Sequence, residues 1–364
     1  MRAPAELVSY VYRNPGAIHQ FSMGDWDRLV RQARQSGLLA RLHFQLLNHR
    51  LVASIPADAR WHFESATVLA DRQQSEMRRE LRQLRTLLAG LNFPLVVLKG
   101  AAYVAADLPA ARGRIHDDVD LLIPSERLGE VEATLKQADW QAVDLPDYDQ
   151  RYYRRWLHAA SPLRHLRRAT VINVHHAILP DTTRFCPDAG KLRRHATELL
   201  GFSGMAVLAT EDLILHAVTL LFHDDGLTHG LCELSDLDLL LRQADTEAGF
   251  WTRLLVRAEE MELGRPLFYA LRYARHFLGT SIPEEVRDHL ANAAPGGATL
   301  SLMDGMYTRM LAPGHHSSGD AFTRLARQAA YLRAHWLRRP PRLLVPHLFR
   351  KAFISAYPRD PKPA

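Results

Sequence analysis

Apolar residues in the first part of the chain recur at helical spacing. Trp26 and Leu29 begin one such series, with apolar positions three or four residues apart as on one face of a helix. Gly37 predicts a break between helices. A second series, over residues 66–91, places leucines between charged positions. We therefore expect residues 1–91 to form a helical N-terminal region whose apolar face packs on a neighbouring domain.

The pattern changes after Pro94. The apolar run LVVL, residues 95–98, is too short for a helix of its own and ends in Lys99-Gly100. A run of this length that ends in glycine is typical of a buried strand that leads into a turn. Helix-forming residues resume at 101–106. This segment therefore predicts a strand, a glycine turn and a helix.

Two further strands are expected. In DDVDLLIP, alternation places Asp118 and Asp120 on the same side of a strand. A third strand is expected over residues 170–179, where alternation gives Asn173 and His175 a common face. The order strand, helix, strand predicts an α+β protein with a small mixed sheet flanked by helices.

The remaining boundaries follow from helix signals. Ser125 is the expected cap of a helix over 126–138, and Thr210 is a candidate cap for the first helix of a helical C-terminal region. With the N-terminal region above, we expect an α/β core at 92–204 and a helical region with a basic tail at 205–364.

The composition of the chain indicates its expected cellular compartment. The chain has 364 residues, 47% of them hydrophobic, enough for two or three packed domains. Its cysteines, Cys186 and Cys232, form no CxxC spacing, which suits a reducing cytosol. We find no secretory pattern in MRAPAELVSYVYRNP and no apolar window of membrane-spanning length. The expected location is cytoplasmic.

The positive charge is concentrated in the tail. The net charge is +6, but residues 324–364 contribute ten bases and one acid, so the rest of the chain is slightly acidic. From Tyr331 to Tyr357, basic residues are interleaved with aromatic and aliphatic ones, as expected for an anionic membrane surface, or for RNA or an acidic peptide. A solvated helix that packs its apolar side on the body is the alternative. The residues concerned are Trp336, Leu337, Arg338, Arg339, Arg342, Leu343, Leu344, Leu348, Phe349, Arg350 and Lys351.

The candidate chemistry lies in the aspartate strand. Carboxylates at alternate positions of a strand project side by side, a separation that suits one or two Mg²⁺ ions. A solvated acidic loop is the alternative for such a pair taken alone. Gly100 lies between strand and helix, where phosphate can approach backbone N–H groups. Lys99 and Arg114 lie nearby in sequence and carry the charge that phosphate requires.

At these residues the chain resembles a known family. The run LKGAAYVAADLPAARGRIHDDVDLLI is similar to the signature of an uncharacterised bacterial nucleotidyltransferase family within the polymerase-beta-like superfamily. Its Lys-Gly, Arg and Asp-apolar-Asp positions are occupied here by Lys99, Gly100, Arg114, Asp118 and Asp120. The resemblance covers most of the chain, including VINVHHAIL, EDLILHAVTLLFH and LCELSDLDLLL, and implies a polymerase-beta-like sheet.

The resemblance also implies an activity. The two aspartates would bind Mg²⁺ or Mn²⁺, a nucleoside triphosphate would be the donor, and an acceptor hydroxyl would displace pyrophosphate. The amides of Gly100 and Ala101 would hold the terminal phosphates, with Lys99 or Arg114 neutralising their charge. The acceptor stays open: a small molecule, a sugar phosphate, a peptide or an RNA end.

One position departs from the family pattern. The related proteins usually carry a third carboxylate on the later strand, before an apolar-His pair, whereas this chain has Asn173 followed by Val174 and His175. An amide offers an oxygen but no charge, so a metal there should be held more weakly. We count Asn173 and His175 with the two aspartates as candidate catalytic residues. Either His175 or the acceptor compensates, the chemistry is slower or altered, or the site is degenerate.

Other polar residues are weaker candidates. His176 faces away from His175 and is expected to be a core or edge residue. A helical face carries three polar residues that could form a transition-metal site or, in the reading we prefer, pack against the core or line an acceptor cleft. These are His216, Thr219 and His223, followed by Asp224 and Asp225, with Asp236 on the same wall.

Two other functions compete with nucleotidyl transfer. A degenerate module would bind nucleotide or an anionic partner as a scaffold, which Asn173 favours. An RNA 3′-end-modifying enzyme would bind RNA through its tail with a strong salt dependence.

Overall fold

The computed structural model describes residues 4–116, 118–143, 161–168, 170–180, 183, 187–223, 227 and 229–338. Within these residues, helices dominate both ends of the chain and one mixed sheet lies between them. The helices are α1 (Val8–Arg13), α2 (Met23–Gln35), α3 (Leu39–Asn48), α4 (Ala57–Leu87), α5 (Lys99–Ala105), α6 (Leu128–Gln137), α7 (Ala189–His195), α8 (Thr210–His223), α9 (Gly230–Ala244), α10 (Phe250–Glu260), α11 (Gly264–Leu278), α12 (Glu284–Ala291), α13 (Gly297–Met310) and α14 (Thr323–Arg338).

The described strands form one seven-stranded sheet in the order β3-β4-β5-β2-β1-β7-β6. Pairing is parallel between β2 and β5 and between β1 and β7, and antiparallel elsewhere. The strands are β1 (Leu95–Leu98), β2 (Asp118–Leu122), β3 (Trp140–Ala142), β4 (Leu163–His165), β5 (Val171–His175), β6 (Thr197–Glu198) and β7 (Met205–Val207).

Strand β1 is buried on both sides. All four of its residues are buried, as expected for a short apolar strand inside the core. The helix α5 packs on β1 and β2, and α4 packs on α5. The mixed sheet between helical regions confirms the expected α+β fold.

Several boundaries differ from the sequence expectation. Residues Ser125–Arg127 form a tight 3-10 turn, so α6 begins at Leu128. The hydroxyl of Ser125 donates to the Glu126 side chain, 3.2 Å away, and does not cap the helix. Thr210 is the first residue of α8, whereas a cap would be the residue just before the helix. The predicted cap is therefore one position too late.

The third strand is also shorter than expected. It ends at His175, whose carbonyl accepts from the Ile123 amide in the final bond of the ladder. Pro124 follows shortly after the neighbouring strand, β2. Proline has no N–H, so it cannot extend the pairing. At the other end of the core, β7 begins at Met205, so the sheet extends past the expected boundary at residue 204.

The N-terminal break occurs where glycine predicted it. α2 ends at Gln35 and α3 begins at Leu39, and Gly37 between them has φ of +70°, a conformation that favours glycine. Among the described residues, no helix is both long enough and apolar enough to cross a bilayer.

Candidate functional site

Three neighbouring strands bring the candidate residues together. Leu98 at the end of β1 pairs with Asp120 of β2, and Asp120 pairs with Asn173 of β5. Lys99 follows Leu98 directly, and His175 lies two residues beyond Asn173. Side chains at alternate positions of a strand share a face. The register therefore places these polar side chains on one side of the sheet centre.

The two aspartates converge on one amide. The Asn173 Nδ2 donates to Asp118 Oδ2 over 2.7 Å and lies 3.3 Å from Asp120 Oδ1. A single donor between two carboxylates shows that both point the same way, as alternation predicted. Asp118 is partly exposed, whereas Asp120 is only 1% exposed. The pair thus runs from the surface into the core.

Lys99 neutralises the buried carboxylate. Its Nζ lies 2.8 Å from Asp120 Oδ1. Burial acts to lower the Lys99 pKa, but the charges of Asp120 and Asp118 outweigh it and raise that pKa above its ordinary value. The Lys99 backbone has φ of 51°, in the left-handed region that costs a side-chain-bearing residue about 1–2 kcal/mol. This strained corner directs the ammonium toward the aspartates.

His175 completes the shell around Asp120. Its Nε2 lies 2.6 Å from Asp120 Oδ1 and donates to that carboxylate. Burial acts to raise the Asp120 pKa, but the charge of Lys99 and the His175 hydrogen bond hold it well below its ordinary value. Asp120 is therefore a carboxylate, with three donors directed at one oxygen. In the described part of the chain its other oxygen, Oδ2, accepts no hydrogen bond.

Arg114 lies in a buried ion network. Its Nη1 donates to Cys232 Sγ over 2.7 Å, and its Nε lies 3.2 Å from Asp236 Oδ2. Arg41 contacts the other oxygen of Asp236 over 2.6 Å and also donates to Ser235. The network joins α3, the segment before β2 and α9. The contacts of Arg114 are thus with α9, whereas the sequence expectation directed it toward phosphate.

The corner at Gly100 is covered by a histidine. A Cβ built on Gly100 would lie 1.9 Å from His116 Nδ1, so the imidazole rests directly on the glycine. The His116 Nε2 is buried and has no hydrogen-bond partner among the described residues. Burial, aided by the charge of Arg114, lowers the His116 pKa to about 4. Gly100 therefore permits close packing of a neutral imidazole, and Ala101 behind it is buried.

Two residues near the site were missed by sequence reasoning. His116 lies inside the motif block, but the loop pattern gave no indication that its ring would fold back on Gly100. Glu233 on α9 adds negative charge, which raises the pKa of both Lys99 and Arg114. Its spacing three residues before Asp236 on a helix was the available signal.

The weaker candidates lie in the core. His216 and His223 are buried on α8, and His223 Nδ1 contacts the Thr219 carbonyl over 2.9 Å. The hydroxyl of Thr219 donates to the Leu215 carbonyl over 2.7 Å. His216 interacts electrostatically with the site, and burial followed by the charge of Lys99 lowers its pKa to about 3. Asp224 and Asp225 lie outside the described residues.

The donor set fits a hard divalent cation in part. Asp118, Asp120 and the amide of Asn173 are oxygen ligands of the type that Mg²⁺ accepts. The Asn173 NH₂ now faces both carboxylates, so its carbonyl would reach a cation only after the amide rotates. Nowhere in the described ranges do three His, Cys, Asp or Glu side chains form a metal site. A bound cation would therefore need further oxygens, from water or from a substrate.

The mixed sheet, its helical flanks and the paired aspartates beside a lysine corner define a nucleotidyltransferase-type fold. The chain belongs to the family described as uncharacterised nucleotidyltransferase, whose model matches residues 22–279. This confirms the family indicated by the Lys-Gly to Asp-x-Asp block. No curated protein and no solved structure matches the chain.

Proposed function

We propose that this protein transfers a nucleotidyl group from a nucleoside triphosphate to an acceptor, with the help of a divalent cation. The observation that carries the proposal is the convergence of Asp118 and Asp120 on Asn173, beside the Lys99 ammonium. Family membership supports nucleotidyl transfer in general. The cation, the triphosphate donor and the acceptor are parts of the proposal.

Each residue of the site has a definite role in this proposal. Asp118 and Asp120 would hold the cation, with Asn173 as a neutral third ligand. When bound, such a cation supplies charge stabilisation for the phosphates. Lys99 is already fixed at 2.8 Å from Asp120, so its ammonium is oriented before substrate arrives. Preorganised charge of this kind lowers a phosphoryl-transfer barrier without reorganisation during the reaction.

In this proposal His175 orients the Asp120 carboxylate and does not itself react. Its Nε2 donates to Asp120 Oδ1, which fixes the carboxylate and leaves Oδ2 directed elsewhere. Arg114 would support the site indirectly, through the charges of Asp236 and Glu233 on α9. A direct contact with phosphate would require its guanidinium to leave Cys232. The cytoplasmic location stays part of this proposal.

The test uses nucleotide binding to the purified full chain with and without Mn²⁺. We expect Mn²⁺-dependent binding that Asp118→Asn reduces at least tenfold. Asp118 is partly exposed, so this variant should fold, whereas Asp120→Ala removes a buried charge. Asp71→Asn, an equal charge change on the exposed face of α4, is the matched control. Binding that is independent of metal and unaffected by Asp118→Asn would refute the proposal.

A second function is favoured by one observation. Asn173 donates to both carboxylates, and Lys99 compensates Asp120, so the pair is neutralised in part without a metal. A degenerate scaffold would bind nucleotide or another anion without turnover. Pyrophosphate release during incubation with candidate small molecules, sugar phosphates, peptides and RNA distinguishes the two functions, because a scaffold releases none.

A further inference from the structure

The last described helix, α14, has an unusual distribution of side-chain size. The residues that it buries are Ala326, Ala330, Ala334 and His335, so the apolar ones among them are all alanines. Its large apolar residues Leu332 and Trp336 are exposed instead. A helix that merely covers the body would bury its largest apolar residues and expose its small ones. α14 instead buries three alanines and exposes Leu325, Leu332 and Trp336, while Leu337 is half-buried.

The exposed apolar residues form one continuous row. Leu325, Ala329, Leu332 and Trp336 follow one another at intervals of four, three and four residues, so they lie on one face of the helix. Phe322 continues the row just before the helix. Its four large members are between 49% and 62% exposed. We call Phe322, Leu325, Leu332 and Trp336 the α14 row.

The helix is held firmly enough to present this row. α14 packs against α13 and α8. The Arg333 Nη1 donates to the Phe222 carbonyl over 3.0 Å, and its guanidinium lies 5.6 Å from the centre of the Tyr307 ring. The close approach that the alanines permit fixes the helix with Leu325, Leu332 and Trp336 outward.

Charge identifies the partner. α14 carries four arginines and no acidic residue. Two of these arginines, Arg324 and Arg327, are exposed. In sequence, residues 324–364 carry ten bases and one acid. A second copy of the chain would bring the same positive charges together in a symmetric pair, which is unfavourable. RNA would satisfy the arginines but would leave aliphatic side chains such as Leu325 and Leu332 in water.

We infer that the α14 row is a docking surface for an anionic phospholipid bilayer. Aliphatic and aromatic side chains on one face of a helix enter the boundary between headgroups and acyl chains, while flanking arginines contact the lipid phosphates. Trp336 lies at one end of the row, and tryptophan is favoured at this depth of a bilayer. The surface is separate from the aspartate site and does not depend on its activity.

The experiment is flotation of the full chain with vesicles of phosphatidylcholine alone, or of equal parts phosphatidylcholine and phosphatidylglycerol. We expect binding to the anionic vesicles only, decreasing as ionic strength rises. The variant Leu332→Glu/Trp336→Glu should bind at least tenfold less. The control Val68→Glu/Leu200→Glu removes two apolar side chains that are 69% and 98% exposed, with the same charge change, and should bind normally.

Fluorescence provides a second measurement. Trp336 should shift its emission to shorter wavelength on anionic vesicles, and Trp336→Phe should remove the shift while retaining binding. Circular dichroism and thermal unfolding of each variant establish that it is folded. Failure to bind anionic vesicles, or equal loss in both double variants, would overturn the inference.

Other occupants of the row give distinct results. If the row joins two copies, sedimentation shows a dimer that Leu332→Glu/Trp336→Glu converts to a monomer, without vesicle binding. If another part of this chain covers the row, the same variant lowers the unfolding temperature, again without vesicle binding. Either result would overturn the inference.

Discussion

The side-chain amide of Asn173 donates to Asp118 over 2.7 Å and so occupies the position between two carboxylates. Its second contact, 3.3 Å to Asp120, makes it a bridge. An amide in this place reduces the repulsion between the two carboxylates because it donates hydrogen bonds to them. A carboxylate in the same place would increase that repulsion. We therefore expect Asn173 to stabilise the pair of carboxylates when no metal is bound.

The first prediction concerns Asn173→Asp. Without metal, the variant loses a donor and gains a third negative charge, so the free energy of unfolding should fall by about 1–3 kcal/mol. Added Mn²⁺ should raise its unfolding temperature more than that of the unchanged protein, because metal that binds only the folded state stabilises it. Asn48→Asp, the same change at an exposed position, is the control. Equal Mn²⁺ responses in all three proteins would contradict this prediction.

A second prediction uses the buried histidine behind the site. His216 is 2% exposed, and burial lowers its pKa from 6.5 to about 3. Between these values the unfolded chain binds a proton that the folded protein does not. The stability therefore rises with pH, by about 1.4 kcal/mol per pH unit from this group alone. Conversely, the stability falls as the pH is lowered through this window.

Urea unfolding at several pH values from 4 to 6 measures this contribution. His216→Leu should reduce the slope of unfolding free energy against pH by about 1.4 kcal/mol per unit. Thr219→Val changes a buried, non-titrating side chain on the same helix and should shift the free energy equally at every pH. An unchanged slope in His216→Leu would show that His216 is already protonated in the fold.

The third prediction concerns the network around Asp236. Asp236 and Arg41 are each about 5% exposed, and Arg114 approaches the second oxygen of Asp236. Asp236→Asn keeps the shape but leaves two guanidinium groups without their carboxylate, which should cost about 3–5 kcal/mol of stability. Asp27→Asn, which breaks an exposed pair with Arg31, should have little effect. Similar losses for both variants in urea unfolding would argue against a buried network.

Local sequence patterns predicted the part of the site built from residues close together in the chain. They missed the contacts with residues far away in the chain. Alternation placed Asp118 and Asp120 on one side of a strand, and their shared contact with Asn173 agrees. The strand and the helix near Lys99 were also visible in the sequence, but the expected glycine turn between them was wrong, because α5 begins at Lys99 directly after β1. These features depend on residues close in the chain, where period and glycine placement are informative.

Arg114 shows why the rest could not be predicted. Its partners Cys232 and Asp236 lie on α9, more than a hundred residues later. Periodicity indicates which face of a helix is buried but not which charged group it meets there. Likewise, the strand register that pairs Asp120 with Asn173 is a tertiary result. The predicted roles of these residues in phosphate and metal binding stay predictions.

The last prediction tests the contact between Gly100 and His116. A methyl group on Gly100 would meet the imidazole at 1.9 Å, a distance that requires the ring to move. Gly100→Ala should therefore lower the free energy of unfolding by about 1–3 kcal/mol, as overpacking does. In Gly100→Ala/His116→Ala the ring is gone and the methyl fills part of its space. The double variant should thus be more stable than the two single losses predict, by about 0.5–3 kcal/mol. Additive losses would mean that the backbone rather than the His116 ring limits this corner, and the packing role of Gly100 would have to be abandoned.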